Sequence, residues 1–386
     1  MEWIRRNIKG DPVIWLVVAV LSLFGILAVY SSTGTLAYVK QSGNAEFYVI
    51  KHTMILLASL FLMWMAHLVD FRYYSRPAQL IIYPAMALLA YTLVFGSNIN
   101  AASRWVTIPV IGTSFQTSDL AKLALILYVA RFLSKQQDKI KSFRSSFLPV
   151  LVHIVVVCGL IAPADLSTAS VLFATCLLVL FIGRIPMKYL LTLTGTGVVG
   201  LTLMIVVILN LNVEGRVGTW KERIEDYVEF AQGKEVEESY QNQQAKIAIA
   251  QGGLIGKGPG KSTQRNFLPS PYADFIYAII IEEYGVLGAV ILILLYLVLL
   301  WRTVKIVIRT PQAFGAFLAV GLSFSLVIQA FINMGVAVHI FPVTGLPMPL
   351  VSMGGTSLFF TSIAFGVILS VSRNSEEEYN KENDEE

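Results

Sequence analysis

A lone aspartate, Asp274, stands at the lip of an apolar run in Asn266-Phe-Leu-Pro-Ser-Pro-Tyr-Ala-Asp274-Phe-Ile-Tyr-Ala-Ile-Ile-Ile-Glu282-Glu283-Tyr-Gly285. A long polar stretch precedes it, and the apolar run after it is long enough to cross a bilayer. A carboxylate is costly to keep where water meets lipid, so its presence points to chemistry at the membrane surface. Three further groups carry charge toward the same side. Asp119 and Lys122, three residues apart, share one helix face. Arg104-Trp105 lie just before that helix. Asp165 sits in the turn Pro163-Ala-Asp165-Leu-Ser-Thr168, where it either contributes to a site or caps the next helix. Glu282 and Glu283 lie about two turns inside the apolar run. Adjacent acids cannot both share one face, so at least one needs an internal partner, and they read as structural glue or cavity lining.

The elements that position these groups are membrane helices. The chain has 386 residues, 55% hydrophobic and 14% charged, with mean hydropathy +0.67. A water-soluble domain carries nearer a quarter charged residues. The apolar content falls in long runs, and the fold expected is an all-α polytopic membrane protein. About ten spans are legible, near 13–31, 48–68, 77–96, 118–133, 146–163, 168–183, 187–210, 273–300, 312–338 and 353–372. Lys and Arg gather at alternate ends of the spans, as at Arg5, Arg6 and Lys9, at 131–144 and at Arg302, Lys305 and Arg309, which puts both termini in the cytoplasm. The first span, with its basic start, is read as an uncleaved helix rather than a signal peptide. Between helices 7 and 8 runs a long extracytoplasmic loop, about 211–272. Its start, 213–230, is expected to lie on the interface as an amphipathic helix, and Tyr240–Ala250 is a second helix candidate. Residues 1–373 are read as one transmembrane domain, and 374–386, with seven acids and one lysine, as a disordered cytoplasmic tail.

Local detail sharpens the picture. The fourth span is short, about 15 residues or roughly 22 Å, against a hydrocarbon core of roughly 30 Å. With Thr117 or Ser118 as its cap, its outer end is expected to sink below the surface and floor a polar cavity. Glycines 252, 253, 256, 258 and 260 permit tight turns and close backbone approach, without the spacing of a P-loop. The breaker-rich run Pro342–Ser357 must be satisfied by protein or water, and is expected to wall the site. Cys158 and Cys176 fall inside apolar spans and make no disulfide framework; His52, His67, His153 and His339 lack metal-ligand spacing. A net charge of +4 is too small to indicate nucleic-acid binding.

From Gly96 to Arg373 the ordered motifs resemble the SEDS family, the polytopic proteins of bacterial shape, elongation, division and sporulation. They are Ala101-Ala-Ser-Arg104-Trp105, Gln116-Thr-Ser-Asp119-Leu-Ala-Lys122, Pro163-Ala-Asp165-Leu-Ser-Thr168, Tyr240-Gln241 with Ile247–Gly258, Phe267-Leu-Pro269 to Tyr284-Gly285, Asn333-Met-Gly335, and Gly345–Ser357. Departures are Thr117 for the usual Pro, Asp119 for Glu, Ala273 for Thr and Met353 for Tyr. The arginine and aromatic pattern at 216–224 and the acidic tail favour the division-type branch over the elongation-type one.

The resemblance implies a peptidoglycan glycosyltransferase of the bacterial inner membrane at the septum, polymerising lipid II, with Asp274 as general base. It implies Arg104 and Lys122 at the leaving diphosphate, and Lys257, Lys261 and Arg265 as weaker loop candidates. Asp119 and Asp165 would line the same site. A divalent cation, Mg or Mn, held by Asp274 with Asp119 or Asp165 and the diphosphate, is the one candidate cofactor. Implied partners are a class B penicillin-binding transpeptidase and other division proteins. The rival readings are a lipid II flippase, against which stands the lack of an inverted repeat, and a division scaffold, which leaves Asp274 unexplained.

Overall fold

The computed structural model describes residues 9–34, 45–99, 102–108, 113–210, 218 and 240–385. In chain order its helices and strands are α1 (Pro12–Ser32), α2 (Ala45–Leu68), α3 (Phe71–Phe95), β1 (Ser97–Ile99), β2 (Ala102–Ile108), β3 (Thr113–Gln116), α4 (Thr117–Lys135), α5 (Leu148–Ile161), α6 (Leu166–Ile182), α7 (Met187–Asn210), α8 (Tyr240–Gly252), α9 (Ile276–Arg309), α10 (Ala313–Ala337) and α11 (Ser357–Glu385). Each of the expected spans falls on one of these helices. Among the described residues seven segments are long and apolar enough to cross a membrane: α1, Glu46–Leu68 of α2, α3, Phe143–Ile161, α9, α10 and Ser357–Glu377 of α11. The shorter α6 is apolar throughout. The expected interfacial helix at 213–230 and the pattern at 216–224 lie outside the described residues, apart from Gly218.

The chain groups into two compact units where the sequence reads as one domain. The first comprises Met1–His67, Asp226–Thr303 and Leu326–Leu369; the second comprises Leu68–Glu225, Val304–Ser325 and Ser370–Glu386. In the first, Asp11 caps α1 by accepting from the Val13 and Ile14 amides at 2.8 and 3.3 Å, with Pro12 at the first helical position. The same carboxylate receives Arg302 Nε at 2.6 Å, which ties α1 to α9. Gly25 of α1 lies against the Leu350 carbonyl, so any side chain there would collide with backbone.

In the second unit, α4 is wrapped by α3, α5 and α6 and is the most buried of these helices, with Ala121, Leu125, Ala130 and Leu133 fully enclosed. Gly321 packs on Ile126 and Val179, and Gly315 on Phe71. Between α3 and α4 the helical expectation gives way to a small antiparallel sheet of order β1-β2-β3, with Val106 opposite Phe115 and Ile108 opposite Thr113. Trp105 and Val106 of β2 are half-buried, as aromatic and β-branched residues on a pleat commonly are. α4 itself has 19 residues, about 28 Å. The polar residues at both its ends continue the helix, so its length gives no reason to sink its outer end. α11 runs on through the acidic residues expected to be disordered, because no Gly or Pro interrupts them.

Candidate active site

Asp274 lies in the turn just before α9, half-buried, in the first unit. Three consecutive carbonyls of this turn are held from outside. Met353 N donates to Tyr272 O at 2.9 Å. Ser352 Oγ donates to Ala273 O at 2.9 Å. Asn333 Nδ2 reaches Asp274 O at 3.2 Å and Leu346 O at 2.8 Å. The irregular run 342–356 therefore walls this turn, as its sequence implied, and α10 supplies the amide. Burial pushes the Tyr272 hydroxyl above its ordinary value; the Ser270 side chain offsets part of this, and the negative charge of Asp274 adds to it.

Eight residues on from Asp274, Glu282 and Glu283 are buried at 0% and 1% exposure. Just beyond them α9 is broken at Gly285, whose φ of 66° and ψ of −168° leave the helical region. The glycine loop after α8 splints the break. Lys257 N and Gly258 N donate to the Glu282 and Glu283 carbonyls at 2.9 Å, and Val286 N donates to Gly253 O at 3.0 Å. These are the carbonyls and amides that an interrupted helix leaves without partners. The approach is backbone on backbone. A Cβ at Gly256 would strike Glu283 O, and one at Gly285 would strike Leu254 O. The glycines thus serve close packing of chain on chain, where their spacing alone left a ligand equally open.

The side chains complete the splint. Glu282 accepts from Lys257 Nζ at 2.6 Å, Ser262 Oγ at 2.5 Å, Thr263 Oγ1 at 2.8 Å, and the Thr263 and Gln264 amides at 3.0 and 3.2 Å. That is the acceptor pattern of an ionised carboxylate. Glu283 receives Ser31 Oγ and the Ser262 amide, the latter at 3.2 Å, and Arg265 Nη1 donates to Ser31 O at 3.0 Å. Lys257, a loop candidate for the diphosphate, is thus paired with a buried acid, and its ammonium is bound within the loop. Arg265 is turned toward α1. Of the three loop candidates Lys257, Lys261 and Arg265, Lys261 is the exposed one.

The second unit holds the remaining candidates. Lys122 Nζ meets Asp119 Oδ1 at 2.8 Å, at 15% and 4% exposure, so the pair is packed inside protein as its spacing implied. Asp119 Oδ2 is buried without a hydrogen-bond partner among the described residues. Neither Thr117 nor Ser118 caps α4: Gln116 occupies the cap without a side-chain bond. Its Nε2 donates to Ser118 Oγ at 2.9 Å, while Thr117 pairs with Thr92 Oγ1 at 2.9 Å. Asp165 does cap α6, accepting from Thr168 N at 3.0 Å, and it also lines a small cleft with Thr92, Thr117, Ser118 and Leu160. Arg104 lies in β2. Among the described residues no three His, Cys, Asp or Glu gather closely enough to hold a metal ion.

Asn333 and Ser352 stand in the sequence as parts of motifs without a role, and the break at Gly285 is not legible there. A polar signal was available for Asn333, which with Gln329 is one of two amides in an otherwise apolar stretch of α10. None was available for Gly285, since glycine in a helix breaks it only where φ is positive.

The family model for FtsW, RodA and SpoVE, described as a cell cycle protein, matches residues 11–377. The chain is 33% identical over 368 residues to a probable peptidoglycan glycosyltransferase FtsW of Geobacter metallireducens, across 94% of this chain and 95% of that one. It is 32% identical over 380 residues to the stage V sporulation protein E of Bacillus subtilis, across 95% and 98%. Among solved structures it is similar to a chain from work on structural coordination of polymerization and crosslinking by a peptidoglycan synthase complex, with TM-score 0.73 and 25% identity over 95% of this chain and 98% of that one. The rod shape determining protein RodA of Thermus thermophilus gives TM-score 0.67 and 25% identity over 95% and 97%.

Proposed function

The chain belongs to the FtsW, RodA and SpoVE family of cell cycle proteins, and from that premise we propose that it is a multi-pass membrane glycosyltransferase that polymerises lipid II into peptidoglycan strands. The observation that carries the reading is the placement of Asp274: a half-buried carboxylate in a non-helical turn whose backbone is held from three sides. Likeness over nearly the full chain to relatives named as peptidoglycan glycosyltransferases supports the same reaction class.

The chemistry follows from the groups available. A sugar 4-hydroxyl attacks the anomeric carbon of the growing strand. Asp274 takes the hydroxyl proton as the new C–O bond forms, and the bond to the lipid diphosphate breaks with its electron pair leaving on the phosphate oxygen. A positioned base contributes roughly 10²–10⁴-fold. For the leaving diphosphate the candidates in the unit of Asp274 are Lys261 and Arg265; Arg104 and Lys122, in the second unit, are tested by substitution in the polymerisation assay. Arginine suits bidentate phosphate contact, and lysine acts as a point charge. Asp119 holds the Lys122 ammonium in place. A divalent cation would be held by Asp274 and would supply positive charge for the leaving diphosphate; comparing polymer yield with Mg, with Mn and after chelation tests it.

The same proposal places the protein at the septum with a class B penicillin-binding transpeptidase as partner. The neighbour solved as a peptidoglycan synthase complex supports a cross-linking partner. The test is the purified protein with that transpeptidase and labelled lipid II, read in parallel as glycan polymer in detergent and as lipid II movement in sealed proteoliposomes. Polymer supports the enzyme. Movement without polymer replaces it with a flippase.

A further inference from the structure

We propose that Asn333 and Ser352 are positioning residues for the transfer step, acting on the backbone of Ala273 and Asp274; the inference rests on the reading of Asp274 as the base. α9 begins at Ile276, and its first intrahelical bonds run to Phe275 O, from Ala278 N at 3.0 Å and Ile279 N at 3.3 Å. The carbonyls of Tyr272, Ala273 and Asp274 instead find their donors on other segments: Met353 N, Ser352 Oγ and Asn333 Nδ2.

Both side chains are themselves fixed. Ser352 Oγ accepts from Met348 N at 2.8 Å while it donates to Ala273 O, so both its hydrogen-bonding roles are in use. Asn333 Nδ2 bridges Leu346 O and Asp274 O, linking the irregular run to the turn, and lies 3.5 Å from Ala273 O. Facing carbonyls on every side, the amide can present only its NH₂ group; the opposite flip would set oxygen against oxygen. Asn333 Oδ1 is left buried with no hydrogen-bond partner among the described residues. Packing alone would be better served by Leu, which has no acceptor to strand. An amide kept here at the expense of an unsatisfied oxygen indicates that its donation matters.

The consequence concerns precision of placement. Asp274 occupies a turn, where regular helix bonding does not define its position. A general base must stay within hydrogen-bond reach of the proton it removes. A misplacement of about 1 Å costs roughly 10²-fold in rate. The clamp therefore acts through Asp274 without touching substrate. Its loss should lower kcat and leave KM for lipid II nearly unchanged.

The experiment compares Ser352→Thr, which keeps the hydroxyl, with Ser352→Val, which has the same shape without it, and adds Asn333→Asp and Asp274→Asn. Each is purified with its transpeptidase and assayed over a range of labelled lipid II concentrations. Thermal unfolding and hydrogen exchange at the Met353 amide report whether the fold is kept. The result expected is Ser352→Thr near the parent, Ser352→Val down about tenfold in kcat because the Met353–Tyr272 bond remains, and Asn333→Asp down roughly 10²-fold, all with KM within about twofold and the fold intact. Equal kcat in the Thr and Val variants, with Asp274→Asn inactive, overturns the clamp and leaves the base assignment standing. A fall that appears in KM, or only in step with lost folding, also overturns it. Full activity of Asp274→Asn removes the base assignment, and the clamp with it.

Discussion

Replacing Lys257 by Met separates a structural cation from a substrate-binding one. Lys257 Nζ sits 2.6 Å from a Glu282 oxygen whose residue is 0% exposed. Removing one partner of a fully buried pair costs about 3–5 kcal/mol; Lys257 is 29% exposed, so water screens part of the charge left on Glu282 and sets the low end as the ceiling. Glu282 would keep Ser262 Oγ, Thr263 Oγ1 and two amides as donors, which also argues for a loss of at most about 3 kcal/mol. Methionine retains most of the apolar stem, so lost packing adds little. The effect is local to the splint, whose amides at Lys257 and Gly258 donate to the Glu282 and Glu283 carbonyls. Opening free energy read by hydrogen exchange at those two amides should therefore fall, by at most about 3 kcal/mol, with exchange up to roughly a hundredfold faster. The double variant Lys257→Met with Glu282→Gln should recover part of this loss, because no lone charge remains. Exchange unchanged from the parent, together with a raised KM for lipid II, would refute the structural role and return Lys257 to the diphosphate.

Three further outcomes follow from the same geometry. Gly285→Ala forces a Cβ into the Leu254 carbonyl and strains a backbone at φ 66°; strain alone costs about 1–3 kcal/mol, so thermal unfolding should show a clear loss, and a parent-like midpoint would mean the break is not where it stands here. Asp165→Ala removes the α6 cap and should destabilise by about 1 kcal/mol, while Asp165→Ser should restore both stability and activity; a Ser variant that is stable yet inactive would give Asp165 a role in the reaction. Tyr272 should ionise above the usual tyrosine value of about 10, read as the ultraviolet difference between the parent and Tyr272→Phe. The negative charge of Asp274 opposes phenolate formation, so Asp274→Asn should bring that titration down, and no change would place the carboxylate out of reach.

The sequence exposed the parts of the fold that apolar length controls. Every stretch read as a span became a helix, because membrane helices announce themselves by continuous hydropathy. The sheet at 97–116 was missed because three short polar strands between helices carry too little pattern to stand out. Asp274, Asp119 and Lys122 stand out in the sequence as costly charges beside apolar runs, and the Asp119–Lys122 ion pair agrees with their i,i+3 spacing. The Lys257–Glu282 pair was not legible, because a cation in a glycine loop looks open until the returning helix shows the acid beneath it. The clamp on Asp274 was illegible for a similar reason: Asn333 and Ser352 meet residues about 60 and 80 positions away, and backbone acceptors leave no mark in sequence.

The central claim is that a single carboxylate, Asp274, accepts the proton in glycan polymerisation. Its most direct test is polymer formation from labelled lipid II by the purified protein with its transpeptidase, as the parent and as Asp274→Asn, matched for folding and partner binding. The account predicts polymer from the parent and a loss of roughly 10²–10⁴-fold in the variant. Equal polymer from both would contradict it and move the base to another carboxylate, Asp119 or Asp165 first.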